Sequence, residues 1–332
     1  MAPARADDRP VLVAPDSFKG TFRAAQVAAA IGRGLASVGL VADLCPIADG
    51  GEGTLDALVR RPHRRRVTVS DPLGRPVEAE YGLNGTTAVV ETAAASGLTL
   101  ITAEDRDAIA ASTAGTGQLI AHAIASGAWT IYVGVGGSAT TDGGAGAIAT
   151  IEAAGGTRGA QLVVLCDVQT PFEHAARVFG PQKGATPAQV DWLTSRLEEQ
   201  ARRLAKDPTG VAMTGAAGGL AGGLWAAFDA RLVRGAARVL DHLRFEARCR
   251  GARAVISGEG RLDHQSLEGK AVWEVAQRAR GCDVPCHAIV GSQALSPEAT
   301  RAIGLMSVRQ AGTLAALERA AEELGRSLLC GD

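Results

Sequence analysis

GVGGSATTDGGAGA (134–147) is the most informative run in this chain. It follows an apolar stretch (129–135) and leads into an alanine-rich segment, so it reads as a strand, a glycine turn and a helix N-terminus. Gly136, Gly137, Gly143 and Gly144 allow positive φ and close approach of a ligand to the main chain, while Ser138, Thr140 and Thr141 can cap orphan N–H groups. Such a turn suits a phosphate or a carboxylate, although a close-packed corner that binds nothing has the same composition. Asp142 within it calls for a bound cation or another partner. Gly134, Gly136 and Ala139 also satisfy G-x-G-x-x-A. No acidic residue closes a second strand about 20 residues later, which leaves a dinucleotide-dependent oxidoreductase as a weak alternative.

Upstream, VLVAP (11–15) reads as a buried strand, and 24–38 places Val27, Ile31, Leu35 and Val38 at helical spacing. A second strand (41–47) ends in ADGGEGT (48–54), and Leu55 and Leu58 mark a short helix that stops at Arg60. Strands alternating with helices predict a parallel sheet with its binding crevice at the carboxyl ends of the strands. RRPHRRR (60–66) reads as a solvated linker at a domain boundary rather than an anion-binding strip. From 67 to 91 short alternating segments with a Pro-Leu-Gly-Arg-Pro turn predict an antiparallel meander, and hence a new domain.

Around and beyond the central turn, a helix is expected at 117–126 and a strand in QLVVLCDV (161–168), ending at Asp167. Thr186 and Pro187 take the N-cap and N1 positions of a polar helix, 188–206. GAAGGLAGGLWAAF (215–228) is a second glycine-rich patch that either covers a ligand or packs small residues against a neighbour. Strand and helix alternation resumes with a strand ending near Ser257, then VPCHAIVGS (284–292), GLMSVRQ (304–310) and an amphipathic helix carrying Leu314, Leu317, Leu324 and Leu328. These pieces resemble the opening units, so a discontinuous first domain (1–66 and 246–332) with 67–245 inserted is the economical arrangement.

Composition narrows the function. The 332 residues suffice for roughly two domains, and 46% hydrophobic with 21% charged residues describes an ordinary globular protein. A net charge of −1 gives no electrostatic reason to expect nucleic acid or an anionic membrane. The six cysteines and six histidines are scattered, which argues against a zinc site or a disulfide framework. Without an apolar leader or an 18-residue apolar run, a cytoplasmic location is expected.

Residues just past the strand ends are Asp16, Ser17 and Lys19; Asp49 and Glu52; Glu91; Ser138, Thr140 and Asp142; Asp167; Glu259, Arg261 and Asp263. Phosphoryl transfer needs this set: carboxylates for magnesium, main-chain N–H groups and cations for phosphate oxygens, and one group to orient or deprotonate a hydroxyl. Glu52 could instead simply favour the positive end of a helix dipole. Lys19, Lys183 and Lys270 each adjoin a glycine in a chain that otherwise prefers arginine, which suggests placement near a ligand. No G-x-x-x-x-G-K-[ST] is present, so the phosphate cradle is not a P-loop.

At these motifs the chain resembles the glycerate kinase family of the bacterial type that acts in glucarate and glyoxylate metabolism. The resemblance rests on APDSFKGT (14–21), ADGGEGT (48–54), SDPLGRPVEAEYGL (70–83), ETAAASGL (91–98), TAGTGQLI (113–120), the central turn, CDV (166–168), FGPQKGAT (179–186), GAAGGLAGGL (215–224) and SGEGRLDHQSLEGK (257–270). It implies ATP- and Mg2+-dependent phosphorylation of D-glycerate, usually at the 2-hydroxyl. It also implies an α/β fold in which a discontinuous flavodoxin-like domain receives a second α/β domain resembling a restriction-endonuclease core, with the active site between them.

On these strand-end groups Asp49 or Asp263 is expected to orient or deprotonate the hydroxyl, and Lys19 and Arg261 to pair with the substrate carboxylate or the phosphoryl group. Asp16, Ser17, Gly50, Gly51, Glu52, Glu259 and Lys270 are expected at the substrate, and Gly136, Gly137, Ser138 and Thr140 at a phosphate. Asp142 and Glu52 are the expected metal ligands. Thr141 stands where the family usually has Asn, and 155–161 and 169–177 are shorter than the family's equivalents, which bears on substrate choice. A silent binder of hydroxy acids, a kinase for a related acid and 3-phosphorylation are the alternatives. Oligomeric state is left open.

Overall fold

The computed structural model describes residues 8–18, 20–263 and 270–330. Lys19 and the 264–269 part of the SGEGRLDHQSLEGK motif lie outside them. The chain divides into two compact units, 1–48 with 236–332, and 49–235.

The first unit is built on five parallel strands in the spatial order Leu305–Gln310, Cys286–Val290, Ala254–Gly258, Val11–Pro15, Ala42–Leu44. Numbered along this unit, the order is 2-1-3-4-5, with the direction of winding reversing between the first and third strands. Val11–Pro15 is buried at all five positions and coincides with the expected strand. Its partner at the sheet edge is shorter than the expected 41–47, because only Ala42–Leu44 pairs with Val11–Val13. Alternate strand residues Val11, Val13, Ala254 and Ile256 form one core with Val27, Ile31 and Leu35 of helix Ala24–Ala36 and Leu317 and Leu324 of helix Leu314–Cys330. Each such fully buried aliphatic side chain contributes about 1.5–3 kcal/mol. Gly34 lets the two helices touch, since a Cβ there would stand 2.0 Å from the Glu318 carbonyl oxygen.

The second unit carries a six-stranded sheet in the order Arg64–Ser70, Pro76–Asn84, Thr87–Glu91, Thr130–Gly134, Gln161–Leu165, Arg231–Val233. The first three strands form the antiparallel meander; the remaining pairs are parallel. Its core gathers Val90, Ile131, Val133, Leu162 and Val164 against Leu119 and Ile120 of helix Ala114–Ala125, Ile151 of helix Ala145–Ala153 and Leu220 and Leu224 of helix Leu220–Phe228. Thr186 is the N-cap as the sequence indicates, completed by a capping box with Gln189, and helix Pro187–Ala201 ends short of Lys206.

The arginine run corrects the linker reading. After the 3-10 turn Arg61–His63, strand Arg64–Ser70 begins inside the run and forms the sheet edge. Arg64 pairs with Asp56 at 2.6 Å and Arg66 with Glu80 at 2.7 Å. Charges along an edge strand discourage pairing with another chain, which gives the run a physical role without an anion. The division between units also falls earlier than Arg66, at 48/49, and returns at 235/236 rather than 245/246. Leu55 and Val59, beside helix Thr54–Leu58, pack on Val89 of the second sheet, so residues 49–66 belong with it. Among the described residues no helix is long and apolar enough to cross a membrane.

Candidate active site

In the second unit, three adjacent strands end together and the 49–53 loop crosses them. A Cβ on Gly50, whose φ is +89°, would stand 2.7 Å from the Leu165 carbonyl oxygen, and one on Gly136 would stand 2.5 Å from Gly51 Cα. The Gly136 N–H points to the Gly50 carbonyl at 3.4 Å. The ADGGEG and GVGGS motifs, far apart in sequence, therefore meet backbone to backbone, and only glycine allows it.

Side chains then fix the loop. Asp49 Oδ1 accepts the Gly51 N–H at 3.0 Å, and Thr54 donates to the Gly51 carbonyl at 2.7 Å. Glu91 Oε1, at the end of the Thr87–Glu91 strand, accepts the N–H groups of Gly53 at 3.0 Å and Leu55 at 2.7 Å, satisfying orphan donors of helix Thr54–Leu58. Burial pushes the Glu91 carboxyl up to about 7. Glu52 is exposed on the loop and, among the described residues, has no hydrogen bond or ion pair. Asp167 Oδ1 accepts the Gly235 N–H at 2.8 Å.

The glycine turn is buried from Ser138 to Gly144 and open to solvent at Gly137. Its Asp142, expected from the sequence as a metal ligand, is engaged by the chain itself. The carboxylate accepts Thr113 N–H at 2.9 Å, Thr113 Oγ1–H at 2.8 Å, and the N–H groups of Gly144 and Gly146, each at 3.1 Å. A partner that Asp142 calls for is thus the start of two helices within the chain, with three of the four donors on Oδ2 and one on Oδ1. The second glycine patch supports the same turn: Gly143 N–H donates to the Gly218 carbonyl at 3.0 Å, and a Cβ on Gly223 would stand 2.3 Å from the Gly143 carbonyl oxygen. Of the two readings of that patch, small-residue packing is the one observed.

Lys183 belongs to this turn and was noted in the sequence only for its glycine neighbour. From the 3-10 turn Pro181–Lys183, its Nζ donates to Ser138 Oγ at 3.1 Å and to the Thr140 carbonyl. The side chain is buried, and burial pushes its pKa down to about 7. The sequence carries a hint of it, since it is one of four lysines and adjoins a glycine.

In the first unit two carboxylates follow the strands between which the order reverses. Pro15 pairs with Gly258, so Asp16 and Glu259 follow at adjacent strand ends, and both are buried. Asp16 Oδ1 accepts the Ser17 N–H at 2.6 Å, and the Asp16 N–H donates to the Gly258 carbonyl at 2.8 Å. Arg261 lies on a short ladder, Arg261–Leu262 with Ser292–Gln293, and its Nε faces Asp263 Oδ2 at 3.4 Å. Lys270 is the N-cap residue of helix Ala271–Gly281. Ligands of open parallel sheets bind at such a reversal. Among the described residues no three His, Cys, Asp or Glu converge to hold a metal ion.

Comparison with known proteins gives one answer along the chain. A family model described as the glycerate kinase family matches residues 11–157 and 148–328. The glycerate kinase of Bacillus subtilis (strain 168) is 40% identical over 326 residues, 85% of each chain. The glycerate 2-kinase of Escherichia coli (strain K12) is 37% identical over 323 residues, again 85% of each. A crystal structure from Salmonella typhimurium LT2, provisionally assigned as glycerate kinase 2, superposes with a TM-score of 0.80 at 34% identity, covering 97% of this chain and 99% of that one.

Proposed function

The chain belongs to the glycerate kinase family, and from that premise we propose that it transfers the terminal phosphoryl group of ATP to the 2-hydroxyl of D-glycerate. The hydroxyl oxygen forms a bond to the γ-phosphorus, the bond to the β–γ bridging oxygen breaks, ADP leaves, and the hydroxyl proton passes to a carboxylate. The observation that supports this reading is the backbone contact of the 49–53 loop, which carries Asp49, with the glycine turn, whose main-chain N–H groups suit a phosphate.

Asp49 is the group proposed to orient or deprotonate the hydroxyl, with Asp263 as the other candidate. Gly136, Gly137, Ser138 and Thr140 take a phosphate; Asp16, Ser17, Gly50, Gly51, Glu259 and Lys270 serve the substrate. Lys19 and Arg261 neutralise the carboxylate or the phosphoryl group. Magnesium fits an all-oxygen donor set supplied mainly by phosphates, and magnesium sites commonly use only one or two protein carboxylates. Glu52, exposed and unengaged among the described residues, would provide one. When bound, the ion neutralises phosphate charge.

We further propose that the first unit is flavodoxin-like, which its 2-1-3-4-5 parallel order supports. The second is proposed to resemble a restriction-endonuclease core, consistent with its mixed sheet. Asp49→Asn tests the catalytic reading. Turnover is expected to fall by about 100-fold or more with circular dichroism unchanged; near-normal turnover removes Asp49 from the reaction.

A further inference from the structure

Beneath the glycine turn two cations face one carboxylate. Among the described residues Lys183, 3% exposed, donates only to neutral acceptors, Ser138 Oγ and the Thr140 carbonyl. Arg196, from helix Pro187–Ala201, donates to the carbonyls of Ile109 at 3.0 Å and Thr141 at 2.7 Å and lies over the Trp192 ring at 4.9 Å. Among the described residues neither cation makes an ion pair. The carboxylate whose field reaches both is Asp142, and its oxygens accept from Thr113, Gly144 and Gly146.

Two further features mark the same place. The hydroxyls of Thr140 and Thr141 are buried and have no hydrogen-bond partner among the described residues. Buried hydroxyls are normally paired, and a buried ammonium without a counter-charge is costly. One oxyanion would answer the excess positive charge and offer acceptors to these donors. The arginine and the aspartate are already committed to holding the turn, which leaves Lys183 as the cation with a donor to spare.

We propose that Lys183 is the cation of an oxyanion subsite built on the glycine turn, with the hydroxyls of Ser138, Thr140 and Thr141 as its neutral donors. The ligand group is a phosphate of the nucleotide or the carboxylate of the hydroxy acid. This assignment rests on the kinase reading and adds the charged residue that reading lacked at the turn. An anion favours the ammonium form, and the charged group whose field reaches it is Asp142. Binding therefore takes up a proton, and affinity falls as pH rises through about 7.

The full chain and its Lys183→Met variant are titrated calorimetrically with Mg-ADP, D-glycerate and inorganic phosphate, each separately, from about pH 6 to about pH 8.5, a range that spans the lysine's titration. Circular dichroism checks that the variant is folded. One organic probe is expected to lose about 10- to 100-fold in affinity, the size of a charge-assisted hydrogen bond. Loss for Mg-ADP assigns the subsite to a phosphate; loss for D-glycerate assigns it to a carboxylate. The pH dependence for that probe is present in the wild type and absent in the variant. Equal affinities of both proteins for all three probes overturn the proposal. So does a wild-type affinity for both organic probes that stays flat with pH, a result that stands even where the variant fails to fold. Lys183-dependent binding of inorganic phosphate without binding of either organic probe keeps the anion subsite and refutes the kinase reading.

Discussion

Asp142 carries a charge in a corner that is almost closed to water, and the groups that satisfy it define its job. Its oxygens accept four hydrogen bonds from Thr113, Gly144 and Gly146, so it joins the starts of helices Ala114–Ala125 and Ala145–Ala153. Asp142→Asn should therefore destabilise the protein by about 2–4 kcal/mol in buffer containing a chelator, as read from urea melts, because buried donors lose acceptors. Unchanged stability without metal would return Asp142 to the role of a metal ligand. The sequence shows a carboxylate in a glycine turn but not Thr113, 29 positions away, which reaches it only through the fold. Lys183 was hidden for the same reason, since Ser138 lies 45 positions from it.

Glycines at the element scale divide into those that turn the chain and those that let two backbones meet. Gly218 does both: its φ is +65°, and a Cβ there would stand 2.0 Å from the Thr140 carbonyl oxygen. Gly210, at φ +72°, has nothing within 4 Å of that position. Gly218→Ala is expected to cost about 2–4 kcal/mol, left-handed strain plus overpacking, and Gly210→Ala about 1 kcal/mol. Equal shifts in the denaturant midpoint would mean that the contact with Thr140 is not what requires glycine. The strands and helices themselves were largely legible: Val11–Pro15 and the N-cap at Thr186 follow from local patterns. The start of Arg64–Ser70 did not, because arginines on an exposed sheet edge look like a linker until their partners Asp56 and Glu80 are seen.

For the whole molecule, alternating strands and helices at both ends of the chain were enough to expect a discontinuous unit around an inserted one. The crossing points were not legible, because the contacts of Leu55 and Val59 with Val89, not composition, carry residues 49–66 into the second unit. The strand-end groups were legible as a list, and the meeting of the 49–53 loop with the glycine turn was not. The central claim is that these groups phosphorylate glycerate. Its most direct test is ADP release from Mg-ATP with and without D-glycerate, followed by phosphorus NMR of the product. The account predicts glycerate-dependent ADP and a 2-phosphoglycerate signal. A 3-phosphoglycerate signal would contradict the proposed position of transfer, and no glycerate-dependent ADP would contradict the kinase itself.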